Sequence, residues 1–367
     1  MLKKDLKITT LGLKIPFTGL QKQYNNLRTE VLDAIDAVLR SGQLMNGNNT
    51  VEFESWLARR NNVKHAVTCH SGTQALEIIA EYYAQQYDHT DLRVLIPTLT
   101  YQATANAFLR AGWRVEFADV DRNGLVNYDT IDNNKVYHAT VLIGLYGAVP
   151  HYPVEQFASG ILLEDGAQHW LAKRSFSISS AQAISFDPMK NLSNYGNGGA
   201  VVTPDRSLME FAKSWRDNGK PSNTDVGTNS RMSEIDCATM LVKTKYIDQW
   251  QARRETIGDY WCERLKDHAS IRCLINDRTR RGHCFHKFVI EVDNADILQR
   301  NLDIRKIETK VHYRNPLHEL PAYQSFAGPD MMSVASMLSR RVLSLPIYPE
   351  LTDLEVEYII DQLRDCV

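Results

Sequence analysis

Lys190 falls near the end of the run Ser185-Phe186-Asp187-Pro188-Met189-Lys190-Asn191-Leu192, and an acidic segment, Leu162-Leu163-Glu164-Asp165, lies shortly before it. An amine and a carboxylate at the ends of neighbouring buried strands could hold the two poles of one pyridine ring, that of pyridoxal 5'-phosphate. A negative charge beside the ring nitrogen keeps it protonated, and the ring then accepts the electron pair left when a Cα–H bond breaks. The amine would capture the cofactor's aldehyde and, once displaced by substrate, carry a proton between Cα and the C4' carbon. A lysine does this only if desolvation and its neighbours lower its pKa toward neutrality. Taken singly, the two residues also have plainer readings, a solvated lysine and an aspartate capping the next turn.

Ser71-Gly72-Thr73-Gln74-Ala75-Leu76 follows an apolar run ending at Cys69 and opens a helical pattern. A helix N-terminus after a small-residue turn presents unpaired N–H groups and a positive dipole end, which suits a phosphate; the same residues also serve as an ordinary cap. Ser185 could donate to that phosphate from the next strand along. Gln168, three residues beyond Asp165, could reach the ring's 3'-oxygen or be a solvated loop amide. Gly196-Asn197-Gly198-Gly199 fits either a tight turn or close backbone approach to a ligand. There is no GxGxxG after a strand and no GxxxxGK[ST], so dinucleotide and P-loop readings lack support.

These groups need a scaffold of strand ends. Short apolar runs recur from His65 to Cys69, Val94 to Ile96, Val115 to Val120, Thr140 to Leu145, Gly160 to Leu163, Ala183 to Phe186 and Gly199 to Val202. Several are apolar on both faces and alternate with helical segments, the pattern of a largely parallel sheet covered on both sides. Ligands of such sheets sit at the strands' carboxyl ends. Upstream, Leu27, Val31, Ile35, Val38 and Leu39 form one stripe of an amphipathic helix that stops at Ser41-Gly42. Downstream, Ser233 to about Lys266 contains no Pro and only Gly258, which predicts one long helix bent at that glycine. A smaller α+β domain follows, with a strand from Phe285 to Val292 and a last helix opened by the capping box Thr352-Asp353-Leu354-Glu355. The predicted division is a large α/β domain over residues 1–250 and a small one over 251–367.

At 367 residues and 43% hydrophobic, the chain can bury a large core. A formal net charge of -2 offers no basic excess for a nucleic acid. The charged segment Met1 to Lys7 is not followed by an apolar stretch, and no 18-residue apolar span occurs, so the expectation is a cytoplasmic protein away from membranes. Six cysteines without CxxC spacing predict free thiols and no metal. His283-Cys284-Phe285-His286 is expected to alternate across a strand rather than to bind a metal.

The ordered motifs carry a resemblance. Ile15-Pro16-Phe17, Ser41-Gly42, Gly72 to Leu76, Pro97 to Asn106, Glu164 to Gln168, Ser185 to Leu192, Gly227 to Glu234, Val311-His312-Tyr313 with Pro316-Leu317-His318, and Leu343 to Pro346 run nearly end to end. In that order the chain resembles the DegT/DnrJ/EryC1/StrS sugar aminotransferases, pyridoxal-phosphate enzymes of fold type I. The resemblance implies an α/β fold with a mostly parallel seven-stranded sheet flanked by helices, plus the smaller C-terminal domain. By position it makes Lys190 and Asp165 the catalytic pair, with Gln168 on the ring oxygen, Tyr101 stacked on the ring, and Gly72, Thr73 and Ser185 on the phosphate. Asn229 would join the phosphate from a neighbouring subunit, implying a homodimer. Arg231, Tyr313 and His318 lie in segments used around the substrate.

The implied reaction moves the amino group of L-glutamate to a nucleotide-linked keto sugar. Asn229-Ser230-Arg231 with Val242-Lys243 and Trp250 resembles members acting at C3, whereas C4 enzymes often carry Tyr between the Asn and the Arg. Other readings are a non-catalytic regulator that binds the cofactor, or a transaminase of a keto sugar acid without a nucleotide. Related dehydratases carry histidine in place of the lysine, and Lys190 argues against that chemistry. Two departures stand out: Asn197 where the family usually has an acid, and a segment between Gln168 and Ser185 that looks trimmed.

Overall fold

Seven of the apolar runs pair into one sheet. In a computed structural model, which describes residues 14–367 apart from 88–90, 133, 153–159, 174–178, 225 and 327–331, these are β1 (His65–Cys69), β2 (Arg93–Pro97), β3 (Arg114–Ala118), β4 (Ala139–Ile143), β5 (Ile161–Asp165), β6 (Ala181–Ser185) and β7 (Gly199–Thr203). Their order is β1-β7-β6-β5-β4-β2-β3. Only the two ladders made by β7 are antiparallel; the others are parallel. The strands β4, β6 and β7 are buried along their whole length, which is why they read as continuous apolar runs rather than alternations.

Six helices accompany this sheet, α1 (Leu20–Ser41), α2 (Asn48–Arg60), α3 (Gly72–Ala84), α4 (Gln102–Arg110), α5 (Arg206–Trp215) and α6 (Glu234–Thr244), and α7 (Ile247–Leu265) leads from it to the C-terminal core. Ile78, Ile79, Phe108 and Phe211 seal α3, α4 and α5 to one core. Phe53, Leu57, Cys237 and Met240 of α2 and α6 belong to a second core. The doubly covered, mostly parallel α/β sheet is therefore as expected. Helix α1 ends where the stripe ends, with Gly42 left-handed at φ 68°, a conformation glycine adopts without steric cost.

The remaining elements are β8 (Arg272–Cys273), α8 (Asp277–Arg280), β9 (Phe288–Glu291), α9 (Ala295–Ile304), α10 (Ser333–Arg341), β10 (Val342–Leu345) and α11 (Asp353–Asp365). They include a small antiparallel sheet ordered β10-β9-β8. Trp261, Phe288, Leu298 and Ile359 are central to its core. The Thr352 capping box opens α11 with both reciprocal hydrogen bonds present.

Two expectations need correction. The long helix from Ser233 breaks at Lys245-Tyr246, between α6 and α7, and not at Gly258. Side-chain demands explain the break. Lys243 Nζ donates to the Ser193 carbonyl at 2.6 Å, Lys245 and Tyr246 both reach Glu30 on α1, and Thr244 Oγ1 turns back on the Leu241 carbonyl at 2.7 Å, in competition with the helix ladder. Gly258 instead permits close packing, since a Cβ there would lie 2.2 Å from the Phe285 ring. The predicted strand from Phe285 to Val292 shrinks to β9. Phe285 has φ 45°, so the His283-Cys284-Phe285-His286 segment turns rather than alternating. The segment between Gln168 and Ser185 that reads as trimmed includes residues 174–178, which lie outside the described residues.

Glu234, which sequence reading left inside a motif, proves to be a hinge pin. Its carboxylate is 1% exposed and accepts from the N–H groups of Gly47, Asn49 and Thr50 at 2.8, 2.9 and 2.9 Å, fastening the start of α2 to the start of α6. Burial raises its pKa, but these bonds and those from the Thr50 and Asn49 side chains outweigh that and hold it below the usual value. Glu234→Ala strands buried donors and should cost about 3 kcal/mol of stability. Because the folded pKa is depressed, this contribution is present above the ordinary glutamate pKa and is lost as pH falls through the folded one. Thermal unfolding at neutral and acid pH should therefore show the gap between wild type and Glu234→Ala narrowing in acid. A gap that does not change with pH would refute this account.

Candidate active site

Four connections, those that follow β1, β2, β5 and β6, converge on one cleft. After β1, Ser71 caps α3, its hydroxyl accepting from Gln74 N at 3.2 Å. That leaves the N–H groups of Gly72 and Thr73 with no acceptor among the described residues. The backbone here lies hard against β6 and β7. A Cβ on Gly72 would sit 2.6 Å from Ser185 Cβ, and one on Gly199 would sit 2.3 Å from the Ser71 carbonyl carbon. Of the glycines in Gly196-Asn197-Gly198-Gly199, Gly199 therefore serves close backbone approach, whereas Gly196 has room around it. No acid stands at Asn197, which lines the cleft and whose carbonyl accepts from Asn194 Nδ2 at 2.7 Å.

Asp165 ends β5 beside Ala183 of β6 and is 6% exposed. Thr104 Oγ1 donates to one carboxylate oxygen at 2.6 Å and Ala167 N to the other at 3.1 Å, which fixes the plane of the group while leaving its charge unpaired. Thr104 was not anticipated. Its signal was its place in the Tyr101-Gln102-Ala103-Thr104 run, since Tyr101 caps α4 and a residue three positions on shares its helix face.

Gln168 bridges two tyrosines. Its Oε1 accepts from Tyr146 N at 2.8 Å and its Nε2 donates to Tyr313 Oη at 2.9 Å, while Tyr146 Oη donates to the His312 carbonyl at 2.5 Å. Tyr101 is 59% exposed, and its ring lies 6.1 Å from that of Tyr313 at a tilt of 36°. Two aromatic faces thus stand at the mouth.

Lys190 projects from the connection between β6 and β7. Its neighbour Asn191 is clamped by the Cys284 carbonyl at 2.8 Å, Gln251 at 3.2 Å and His286 at 3.2 Å, and Leu192 is fully buried. The Lys190 ammonium has no ion-pair partner among the described residues. Burial lowers its pKa below the ordinary lysine value, against a smaller upward pull from Asp165 and Asp187.

Gly72, Thr73, Tyr101, Asp165, Gln168, Ser185, Lys190 and Tyr313 all line this cleft of about 320 Å³. Three expected residues do not. His318 Nδ1 is bonded to Thr98 Oγ1 at 2.8 Å and its Nε2 to Ser336 at 3.2 Å, so it braces the loop after β2. Asn229 is exposed, and Arg231 is paired with Asp217 at 3.0 Å; neither lines the cleft of its own chain. Lys243, part of the C3-like signature, is buried against Ser193 and the Tyr195 ring.

The model of the DegT/DnrJ/EryC1/StrS aminotransferase family matches residues 25–364. The chain belongs to that family. The aminotransferase is 33% identical to the erythromycin biosynthesis sensory transduction protein EryC1 of Saccharopolyspora erythraea, over 96% of this chain and 99% of that one. It is 30% identical to the dTDP-3-amino-3,4,6-trideoxy-alpha-D-glucose transaminase of Streptomyces venezuelae, over 96% of each. The crystal structure of S. venezuelae DesV superposes with a TM-score of 0.88 at 29% identity, covering 96% of this aminotransferase and 98% of that chain. Aminotransferases of this family use pyridoxal 5'-phosphate.

Proposed function

We propose that this aminotransferase uses pyridoxal 5'-phosphate to move the amino group of L-glutamate onto a nucleotide-linked keto sugar, a 3-keto 6-deoxyhexose in preference to a 4-keto one. The observation that carries the reading is the meeting, in one cleft, of an unpaired, half-buried lysine, a fixed carboxylate and a helix N-terminus with free N–H groups. The residues fit the cofactor: the Gly72 and Thr73 N–H groups and the Ser185 hydroxyl would bind its phosphate, Asp165 its ring nitrogen, Gln168 its ring oxygen, and the Tyr101 ring its face. When bound, the cofactor supplies an electron sink for the carbon that loses its proton.

Lys190 would carry that proton on Nζ, its lowered pKa making it a base at lower pH than an ordinary lysine. Tyr313 would meet the substrate. Asn229 and Arg231 are assigned to the cleft of a second copy, a role supported by the exposure of Asn229 and by the distance of both from their own cleft. The active form would then be a homodimer, divided within each chain near residue 250, inside α7. A cytoplasmic location is supported by six cysteines that are all free thiols. Preference for C3 is supported by the name of the S. venezuelae relative, a 3-amino sugar transaminase.

Incubating the holoenzyme with L-glutamate and matched 3-keto and 4-keto dTDP- and UDP-sugars, with the new amine mapped by NMR, tests this directly. Amination at C3 is expected; amination at C4 alone would reverse the regiochemistry, and none on any sugar would end the reading. A sensor is the second reading, favoured by the name of the EryC1 relative. It separates cleanly in a single turnover, because a sensor would bind cofactor yet fail to convert it to its amine form with glutamate.

A further inference from the structure

Lys287 precedes β9 and lines the cleft from the C-terminal part of the chain. It is 5% exposed, and its Nζ has neither a carboxylate nor a hydrogen-bond acceptor among the described residues. It lies over the Phe17 ring, 4.9 Å from the centroid. Lys310 Nζ lies over the same ring at 5.1 Å and otherwise touches the Met189 sulfur at 4.0 Å. Burial pushes Lys287 well below the ordinary lysine value, reinforced by the charges of Lys190, Arg254 and Lys310.

The fold does little to neutralise this pair. His312 nearby is held down to about 3 by burial and then by Lys287, Lys310 and Lys190, so it is neutral at physiological pH and adds no charge of its own. No surrounding carboxylate pairs with Lys287: Asp165 accepts from Thr104 and Ala167, Glu308 accepts from Phe17 N at 3.1 Å, and Asp187, which accepts from Met189 N at 2.9 Å, pulls Lys287 upward only as the smallest of the influences on it. An aromatic face compensates a desolvated ammonium only in part. Lys287 shares the cleft wall with Lys190, and Lys310 sits over the same Phe17 ring; an anion arriving with a substrate would supply the partner that Lys287 lacks and keep it protonated. The phosphate cradle does not need them, since it is built on another wall, by the start of α3 and the end of β6.

We propose that Lys287 and Lys310 form a carboxylate subsite beside Lys190, which takes either the carboxylate of the amino-acid donor or a carboxylate borne by the sugar. The naming of those two ligands rests on the transaminase reading; the binding itself does not. An ammonium in a dry pocket makes a charge-assisted hydrogen bond that is stronger than its solvated counterpart.

Calorimetric titration of the holoenzyme with three unreactive probes, glutarate, UDP-glucuronate and UDP-glucose, tests the subsite. Lys287→Met should weaken glutarate or UDP-glucuronate by about 10- to 100-fold and leave UDP-glucose unchanged, while Lys287→Arg retains most of the affinity. Lys310→Met should weaken the same probe by a smaller factor and provides a second route if Lys287→Met does not fold. A loss confined to glutarate assigns the subsite to the donor, and one confined to UDP-glucuronate assigns it to the sugar. The subsite is overturned if wild type binds neither anionic probe more tightly than the methionine variants, or if UDP-glucose is lost in equal measure. Because binding rather than turnover is read, absence of transamination in every protein would end the functional proposal and leave this one standing.

Discussion

Lys190→Ala should lower glutamate-dependent amination by about 10⁴-fold or more without unfolding the protein. The fold loses little because the Lys190 ammonium is not the partner of any described carboxylate, while its backbone is held independently by the Asn191 clamp and by the Lys190 N–H to the Asp187 carbonyl at 2.9 Å. What is lost is an amine whose pKa burial has lowered and which therefore sheds its proton more readily than an ordinary lysine. The sign follows. The neutral amine, free once substrate has displaced it, is present above the lowered pKa, so wild-type kcat rises with pH at a lower pH than an ordinary lysine would give.

Lys190→Arg should be nearly as inactive, because guanidinium keeps its proton throughout the accessible range. A small added amine such as methylamine should restore part of the alanine variant's rate. Borohydride reduction followed by peptide mass mapping should place the pyridoxyl group on Lys190 in the wild type. Adducts on another side chain, or near-normal turnover by Lys190→Ala, would falsify the assignment.

The next largest effect belongs to Asp165. Asp165→Asn keeps the shape of the side chain and an oxygen for the Thr104 hydroxyl, yet removes the negative charge; kcat should fall by about 10²- to 10³-fold. The argument turns on what already surrounds the carboxylate. One oxygen accepts from Thr104 and the other from Ala167 N, so asparagine keeps one of these bonds through its single oxygen and turns a donor toward the other partner; the loss combines the missing charge with one missing hydrogen bond. Steady-state kinetics should show the loss in kcat, and circular dichroism should show an unchanged fold. If the asparagine variant turned over at the wild-type rate, the carboxylate would be structural and the ring nitrogen would need another partner.

The cofactor cleft was the most legible part of the sequence because its residues obey local rules. A small-residue turn between a strand and a helix, an acid at the end of an apolar run and a lysine just past another such run each carry a signal within about ten residues. Their convergence follows from strand order, since Asp165 and Ser185 end the neighbouring strands β5 and β6 and Gly72 follows β1, one strand beyond β7. Partners made across the fold were not legible. Nothing near Glu234 announces three backbone donors from residues 47–50. The break at Lys245-Tyr246 contains neither Gly nor Pro, being set by partners on α1 and in the loop after β6. His283 to His286 looked like an alternating strand because two-residue spacing does not reveal the left-handed backbone of Phe285. Lys287 and Lys310 look like surface charges in sequence, and only their packing over Phe17 distinguishes them.

The reversed seventh strand has a consequence for how this chain can vary. Two parallel neighbours would need a long crossover between them, whereas β6 returns directly through residues 186–198 to β7, with Ser185 paired to Gly199. Phe186 N bonds the Gly198 carbonyl and Asn194 N bonds the Phe186 carbonyl, so both roots of the connection are stitched together. Adding or deleting a residue there has no helix to slide and no slack to absorb it. Length should be the trait this segment guards most strictly, while the exposed Tyr195 and Gly196 region at its tip accepts changes of side chain.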